Sequence, residues 1–331
     1  MKKYELTQNS ITLNNKTLYQ IKALKDFGLI KKGNLGGYIE SEKNLSHDGN
    51  CWVSENAQVY ENAQVYGNAL VSENARVYGK AQVFGDARVY ENALVCENAR
   101  VFRNARVFGN AQVYGDARVF RNAQVYGKAW VSGNARVFGD AQVFENAQVS
   151  GSAQVSGNAQ VSGNTQVSGN AWVYGKAEVS GDVEIFGNAS VYGNAQVYEN
   201  VRVYENARVY GDAQVYDNAY VFGDAKVFGN VQVYGDAEVS GNALVSGNAQ
   251  VSGNARVYES ARVSGNAQVF ESARVYGNAR LGKVPVNFDC DFDSYEALKE
   301  ILNYPEILPV LLGLNKNLDK LISTILTKTG T

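Results

Sequence analysis

The residues of this chain that could do chemistry are few, and they stand apart. His47 is the one histidine, so any proton transfer by imidazole would rest on it alone. Cys51, Cys96 and Cys290 are the three cysteines, and apart from His47 ahead of Cys51 none has a cysteine or histidine close by in sequence. That spacing suits neither a zinc site nor a disulfide framework. Asp289, Asp291 and Asp293, with Glu300 at the twelfth place, superficially match a calcium loop. The sixth place, however, is Ser294 where such loops need glycine, and acids opening a helix account for the motif without an ion. No metal and no cofactor are therefore expected. The formal net charge of −2 provides no basic field to attract nucleic acid. No apolar run follows Met1, so neither a signal peptide nor a membrane span is expected, and a reduced, cytoplasmic setting fits the cysteine usage.

Almost every other position is committed to one pattern, Asn-Ala-x-Val-x-Gly. From Val53 to Val275 a valine recurs every sixth residue, with Ile185 in place of one and Leu281 closing the series. Two positions before each valine stands alanine, except at Cys51, Thr165, Val183, Val201 and Val231. Residues two apart on a strand share a face, so alanine and valine point inward and the residues on either side of the valine point outward. The next two places are mostly Gly-Asn, Gly-Asp, Glu-Asn or Gly-Lys, residues that tolerate the left-handed conformation of a corner. Each hexad is a short strand plus a corner, and three hexads close a triangular coil. The fold class predicted is an all-β solenoid of about 13 such coils, forming a rod on the order of 60 Å long at the inter-strand spacing of parallel strands. Corner asparagines should stack as hydrogen-bonded ladders. A right-handed solenoid, with longer and less regular coils, is the weaker alternative.

What varies along the chain is outward, so partners must be read there. On the side that begins with Val65, the residues following the valines run Tyr66, Phe84, Phe102, Phe120 and Phe138. After Ser156 they continue with Tyr174, Tyr192, Tyr210 and Phe228. The residues preceding the same valines include Arg100, Arg118, Arg136, Trp172, Arg208 and Lys226. This is an aromatic stripe flanked by arginines. Rings can stack on their own neighbours and stabilise the coils. Five successive exposed rings would also form a patch large enough to expect a covering partner, and aromatics with arginine are the usual interface mixture. The candidate partner-binding residues are therefore Phe84, Arg100, Phe102, Arg118, Phe120, Arg136, Phe138, Trp172, Tyr174, Tyr192 and Tyr210.

The ends depart from the period. Residues 1–50 read as an N-terminal β cap: Tyr4–Thr7 and Ile11–Leu24 are strand material around Asn14-Asn15-Lys16. Such a cap would cover the first open sheet edge. Residues 51–282 carry the hexads. Residues 283–331 read as a short α-helical segment, capped at Asp293 and Glu296, that either folds over the last coil or mediates oligomerisation.

The phrases Ala23-Leu24-Lys25-Asp26-Phe27, Gly36-Gly37 and Leu45-Ser46-His47-Asp48-Gly49-Asn50-Cys51-Trp52-Val53 resemble the opening of YdcK-like hexapeptide-repeat proteins, found in bacteria and often in prophages. The resemblance covers the first fifty or so residues specifically and the repeats more generically. It implies a left-handed parallel β-helix. The family has been grouped with acyltransferases by fold alone, and the resemblance carries over no activity.

Acyltransferases on such coils use a histidine base beside a groove, usually framed by a protruding loop. Here His47 lies in the cap and no hexad is interrupted, so an enzyme is not expected. The expectation is a binding scaffold of phage or prophage origin acting through protein–protein contact. Its partner is a second copy of itself, in a homo-oligomer, or a bacterial host protein, such as a defence protein that it inhibits. A degenerate acyltransferase or a phage structural component is the alternative. Nucleic acid is disfavoured by the acidic corners at Glu55, Glu61, Glu73, Asp86 and Glu91 and by the net charge.

Overall fold

The computed structural model describes residues 2–282 and 285–286. The helical segment expected over 283–331, the acidic motif from Asp289 and Cys290 lie outside the described residues. The chain divides into two compact units, Met1–Glu199 and Asn200–Thr331.

The first unit opens with β1 (Tyr4–Leu13) and β2 (Lys16–Ala23), an antiparallel hairpin. Its turn is Asn14-Asn15, both in the left-handed region, which asparagine tolerates better than most residues. β3 (Leu35–Ile39) pairs antiparallel with β2 on one side and parallel with Gln58–Val59 on the other. The cap thus extends one of the parallel sheets and occupies its N-terminal edge.

The inner column also begins earlier than the hexads suggest. Ile39 pairs with Val59, Leu45 bridges to Val65, and both are fully buried. Asn44 is buried beside them, and its Nδ2 donates to the Glu61 and Ala63 carbonyls at 3.0 and 2.9 Å. Gly36 and Gly37 are required by close approach. A Cβ at Gly36 would lie 2.5 Å from the Val53 carbonyl oxygen, and one at Gly37 would lie 2.6 Å from that of Ala57.

After the cap, each hexad supplies a strand of two to four residues, and strands 18 residues apart pair in parallel register, as Val53 with Val71, Val95 with Val113 and Val101 with Val119. Three parallel sheets result, and their inner faces meet in an alanine–valine core with essentially no solvent exposure. A buried valine contributes about 1.5–3 kcal/mol, so the column holds the fold with no contribution from unusual residues. The corners close as expected: Gly85, Gly139 and their equivalents have φ of +71° and +77°. Corner asparagines donate to the side chain 18 residues on, as Asn104 to Asn122 at 3.1 Å and Asn146 to Asn164 at 3.0 Å.

The second unit repeats this construction. Arg202–Val203 pairs with Tyr220–Val221, Arg208–Gly211 with Lys226–Gly229, and Gln214–Val215 with Gln232–Val233. Its corners carry the same ladder, as Asn230 to Asn248 and Asn248 to Asn266. On one side the outward glutamines Gln214, Gln232, Gln250 and Gln268 link into a further amide ladder. Among the described residues the one helix is a single 3-10 turn, Glu42–Asn44, and no helix is long and apolar enough to cross a membrane.

Candidate interaction surface

The Val65 side of the first unit brings most of the expected residues together. Arg100, Arg118 and Arg136 stand in register on adjacent strands, as do Phe84, Phe102, Phe120 and Phe138. The strands here are the longest of this unit's coils, Arg118–Arg121 and Arg136–Gly139. Tyr66, Phe84, Phe102, Phe120 and Phe138 form one continuous stack. Successive centroids are 4.7, 4.9, 4.9 and 5.0 Å apart, with planes within 8° of parallel.

That stack corrects one expectation. The rings were expected to be exposed, and they are half-buried. Residues 18 apart sit one strand spacing away, which is also ring-stacking distance, so each ring covers the face of the next. What reaches solvent is a row of ring edges. Among the coils the exposed large apolar side chains instead precede valines, Trp172 on this side at 42% and Trp130 on another sheet at 41%.

Ser156 interrupts the stack. Beyond it Tyr174 and Tyr192 stack at 4.6 Å, and Trp172 tilts against Tyr174 at 5.1 Å. Tyr210 lies in the second unit, stacked on Phe228 at 4.9 Å. The expected residues thus form a five-ring stack with its arginines and a smaller Trp172–Tyr174–Tyr192 cluster.

The arginine column is exposed. Among the described residues no ion pair or side-chain hydrogen bond engages Arg100, Arg118 or Arg136. Two residues that were not singled out from the sequence belong to the same surface: Arg103 and Arg121, which replace the corner glycine after Phe102 and Phe120. Both are exposed, and Arg121 lies 5.8 Å from the centroid of the Phe138 ring. Their signal in the sequence was a basic residue where the pattern has Gly or an acid.

The other candidate groups are in structural surroundings. His47 stacks on Tyr4 at 4.4 Å, its Nδ1 accepts from the Lys3 backbone at 3.2 Å, and its Nε2 is 3.6 Å from Glu42. Lys3 is buried, and its Nζ donates to the Cys51 carbonyl at 2.8 Å and reaches the Cys51 Sγ at 3.1 Å. Burial lowers the Lys3 ammonium pKa and raises that of the Cys51 thiol. Cys96 points outward by register but is 6% exposed. Tyr78 from the neighbouring coil lies against it, and burial raises its thiol pKa. Outward register fixes which side of a strand a group leaves, not whether a larger neighbour covers it. Among the described residues no group of three His, Cys, Asp or Glu side chains could hold a metal ion.

A comparison with curated proteins found no match. The YdcK Beta solenoid repeat family matches residues 57–73, 63–79, 81–97, 111–127, 129–145, 153–167, 195–211 and 249–265. These stretches fall in both units and coincide with the alanine–valine coils, so the coils of this chain are YdcK β-solenoid repeats.

Proposed function

We propose that this protein is a non-enzymatic scaffold that binds proteins along the Val65 side of its first unit. The supporting observation is the column Arg100–Arg118–Arg136, exposed and engaged by no ion pair or side-chain hydrogen bond among the described residues, beside a wall of aromatic edges. In-register like charges destabilise a sheet, so folding alone does not favour this arrangement. Interfaces are enriched in arginine and aromatic side chains and depleted in lysine, and no lysine lies between Lys80 and Lys128. On this reading the partner is a second copy of the chain or, following the family resemblance, a bacterial protein met in the cytoplasm. A phage-encoded inhibitor of a host protein is one form of that role.

The test is the variant carrying Phe102→Ser, Phe120→Ser and Phe138→Ser. Sedimentation velocity reads self-association, and capture from bacterial lysate reads other partners. The proposal expects loss of one or the other with the circular dichroism of the coils retained. Unchanged mass and unchanged capture would sink it.

A further inference from the structure

We propose that Arg103 and Arg121, with the column Arg100–Arg118–Arg136, form a comb that docks an acidic helix of a protein partner by pairing with its carboxylates. This deepens the protein-binding reading above and rests on it.

The corners provide the first argument. Among the described corner residues with positive φ, those other than glycine are Glu or Asp, except Arg103 at +63° and Arg121 at +66°. An L side chain is strained in that region. Several of the acids offset the strain with a specific bond. The carboxylates of Glu61, Glu97 and Glu145 accept from the backbone N–H of the corner 18 residues on, at 2.8, 2.9 and 2.7 Å. Arginine has no acceptor, so Arg103 and Arg121 carry the strain without that bond. The one structural use the described residues show for the pair is the contact of Arg121 with the Phe138 ring; Arg103 shows none.

Local charge is the second argument. Residues 99–122 hold Arg100, Arg103, Arg118 and Arg121 on or beside this sheet, with Arg106 on the next sheet, against one acid, Asp116. The neighbouring acids are already engaged. Asp86 accepts from Asn68 and Asp140 from Asn122, while Glu97 caps Gly115. Among the described residues no ion pair or side-chain hydrogen bond engages Arg103. The patch therefore carries a surplus of positive charge that an anion from outside would relieve.

Geometry selects the anion. A single-stranded nucleic acid gains its affinity from stacking bases on aromatic faces, but here the faces of Phe84, Phe102 and Phe120 are covered on both sides by neighbouring rings. The guanidinium fork instead matches carboxylate geometry. Arginines on successive strands are spaced at about 4.8 Å, and carboxylates one helical turn apart are separated by about 5–6 Å. Flexible arginine arms absorb the difference over three rungs. An acidic helix lying across the strands therefore meets Arg100, Arg118 and Arg136 with successive turns, and Arg103 and Arg121 close over its flank.

The probe is a labelled, helix-stapled peptide with glutamates at i, i+4 and i+8, read by fluorescence anisotropy against the full chain. A scrambled isomer of equal charge and an oligo-dT strand serve as comparisons. Two variants are used, each borrowing residues from adjacent coils so that the fold is retained: Arg103→Gly with Arg121→Gly, and Arg100→Gln with Arg118→Gln and Arg136→Gln. The inference expects the patterned peptide to bind wild type, to weaken with salt, and to lose about tenfold or more in affinity in either variant. Absence of peptide binding, equal binding of the scrambled isomer, tighter binding of oligo-dT or unchanged affinity in both variants would overturn it. If the serine variant loses its partner while the arginine variants keep it, only the carboxylate inference fails. If the serine variant keeps its partner, the interaction surface fails with it.

Discussion

The coils over residues 99–140 and those over 147–170 are built alike inside and differ outside. Both bury their inward side chains completely, as Ala117, Val119 and Val137 in one and Ala153, Val155 and Val161 in the other. Both turn corners at glycines in the left-handed region, Gly139 at +77° and Gly157 at +68°. Outward, the first stretch shows Phe102, Phe120 and Phe138 with five arginines within residues 99–122, and the second shows Ser150, Ser156, Ser162 and Ser168 with Gln148, Gln154, Gln160 and Gln166. The serine stretch demonstrates that coils close without rings or cations. The rings and cations of the first stretch are therefore surplus to closure, and surplus groups on a periodic scaffold are where selection for binding can act.

The sharpest way to break this comparison is to damage the shared interior. Val119→Asp and Val161→Asp each bury an unpaired carboxylate in an alanine–valine column and should cost more than about 4 kcal/mol each. Urea unfolding should show equal losses. A mild loss at either position would mean that the two interiors are not equivalent.

Removing the rings should have a smaller effect on stability. The triple replacement Phe102→Ser, Phe120→Ser and Phe138→Ser forfeits three stacking contacts, while Tyr66–Phe84 survives. At about 0.5–1.5 kcal/mol per ring pair beyond area burial, the cost is a few kcal/mol and the coils persist. Collapse of the far-ultraviolet circular dichroism would show that the rings hold the fold after all.

The reverse exchange should stabilise. Ser156→Phe places a ring between Phe138 and Tyr174 and joins the two stacks, for a gain of about 0.5–1.5 kcal/mol in denaturant unfolding. A loss would show that the serine stretch cannot accept the outward residues of its neighbour.

The smallest effect concerns Cys96. Burial holds its thiol above the ordinary range, so less thiolate is present at mildly alkaline pH than in the unfolded chain. Alkylation by iodoacetamide at pH 8 should be slower in the native protein than in urea and should accelerate as pH rises further. Equal rates in the two states would contradict its placement under Tyr78.

The interior was legible in the sequence because period and side-chain size fix it. An alanine two positions before a valine, every sixth residue, admits one register, and the corner asparagines could only stack. The start of the column was less legible. Ile39 and Leu45 belong to it, but Lys43 stands where the pattern has a small residue, and two extra residues separate Leu45 from Val53. The burial of Lys3 depends on Cys51, 48 residues away, a pairing with no local signal. The candidate surface was legible as a column of residue types but not as a set of exposures. Outward register placed Phe102 and Cys96 on the outside of their strands, and the half-burial of one and near-complete burial of the other come from whatever stands 18 residues away. The corner arginines carried a signal, a break in the Gly/Glu rule, that gains meaning only once the backbone N–H bonds of the corner acids are in view.

The central claim is that the outward surface of residues 84–138 binds a protein and is dispensable for the fold. The most direct measurement is capture from bacterial lysate with wild type and with the Phe102→Ser, Phe120→Ser, Phe138→Ser variant side by side, each shown by circular dichroism to retain its coils, with self-association read by sedimentation velocity. The account predicts a defined partner, or a defined oligomer, with wild type and its loss in the variant. The same partners and the same mass in both would contradict it and leave the ring stack as coil stabilisation alone.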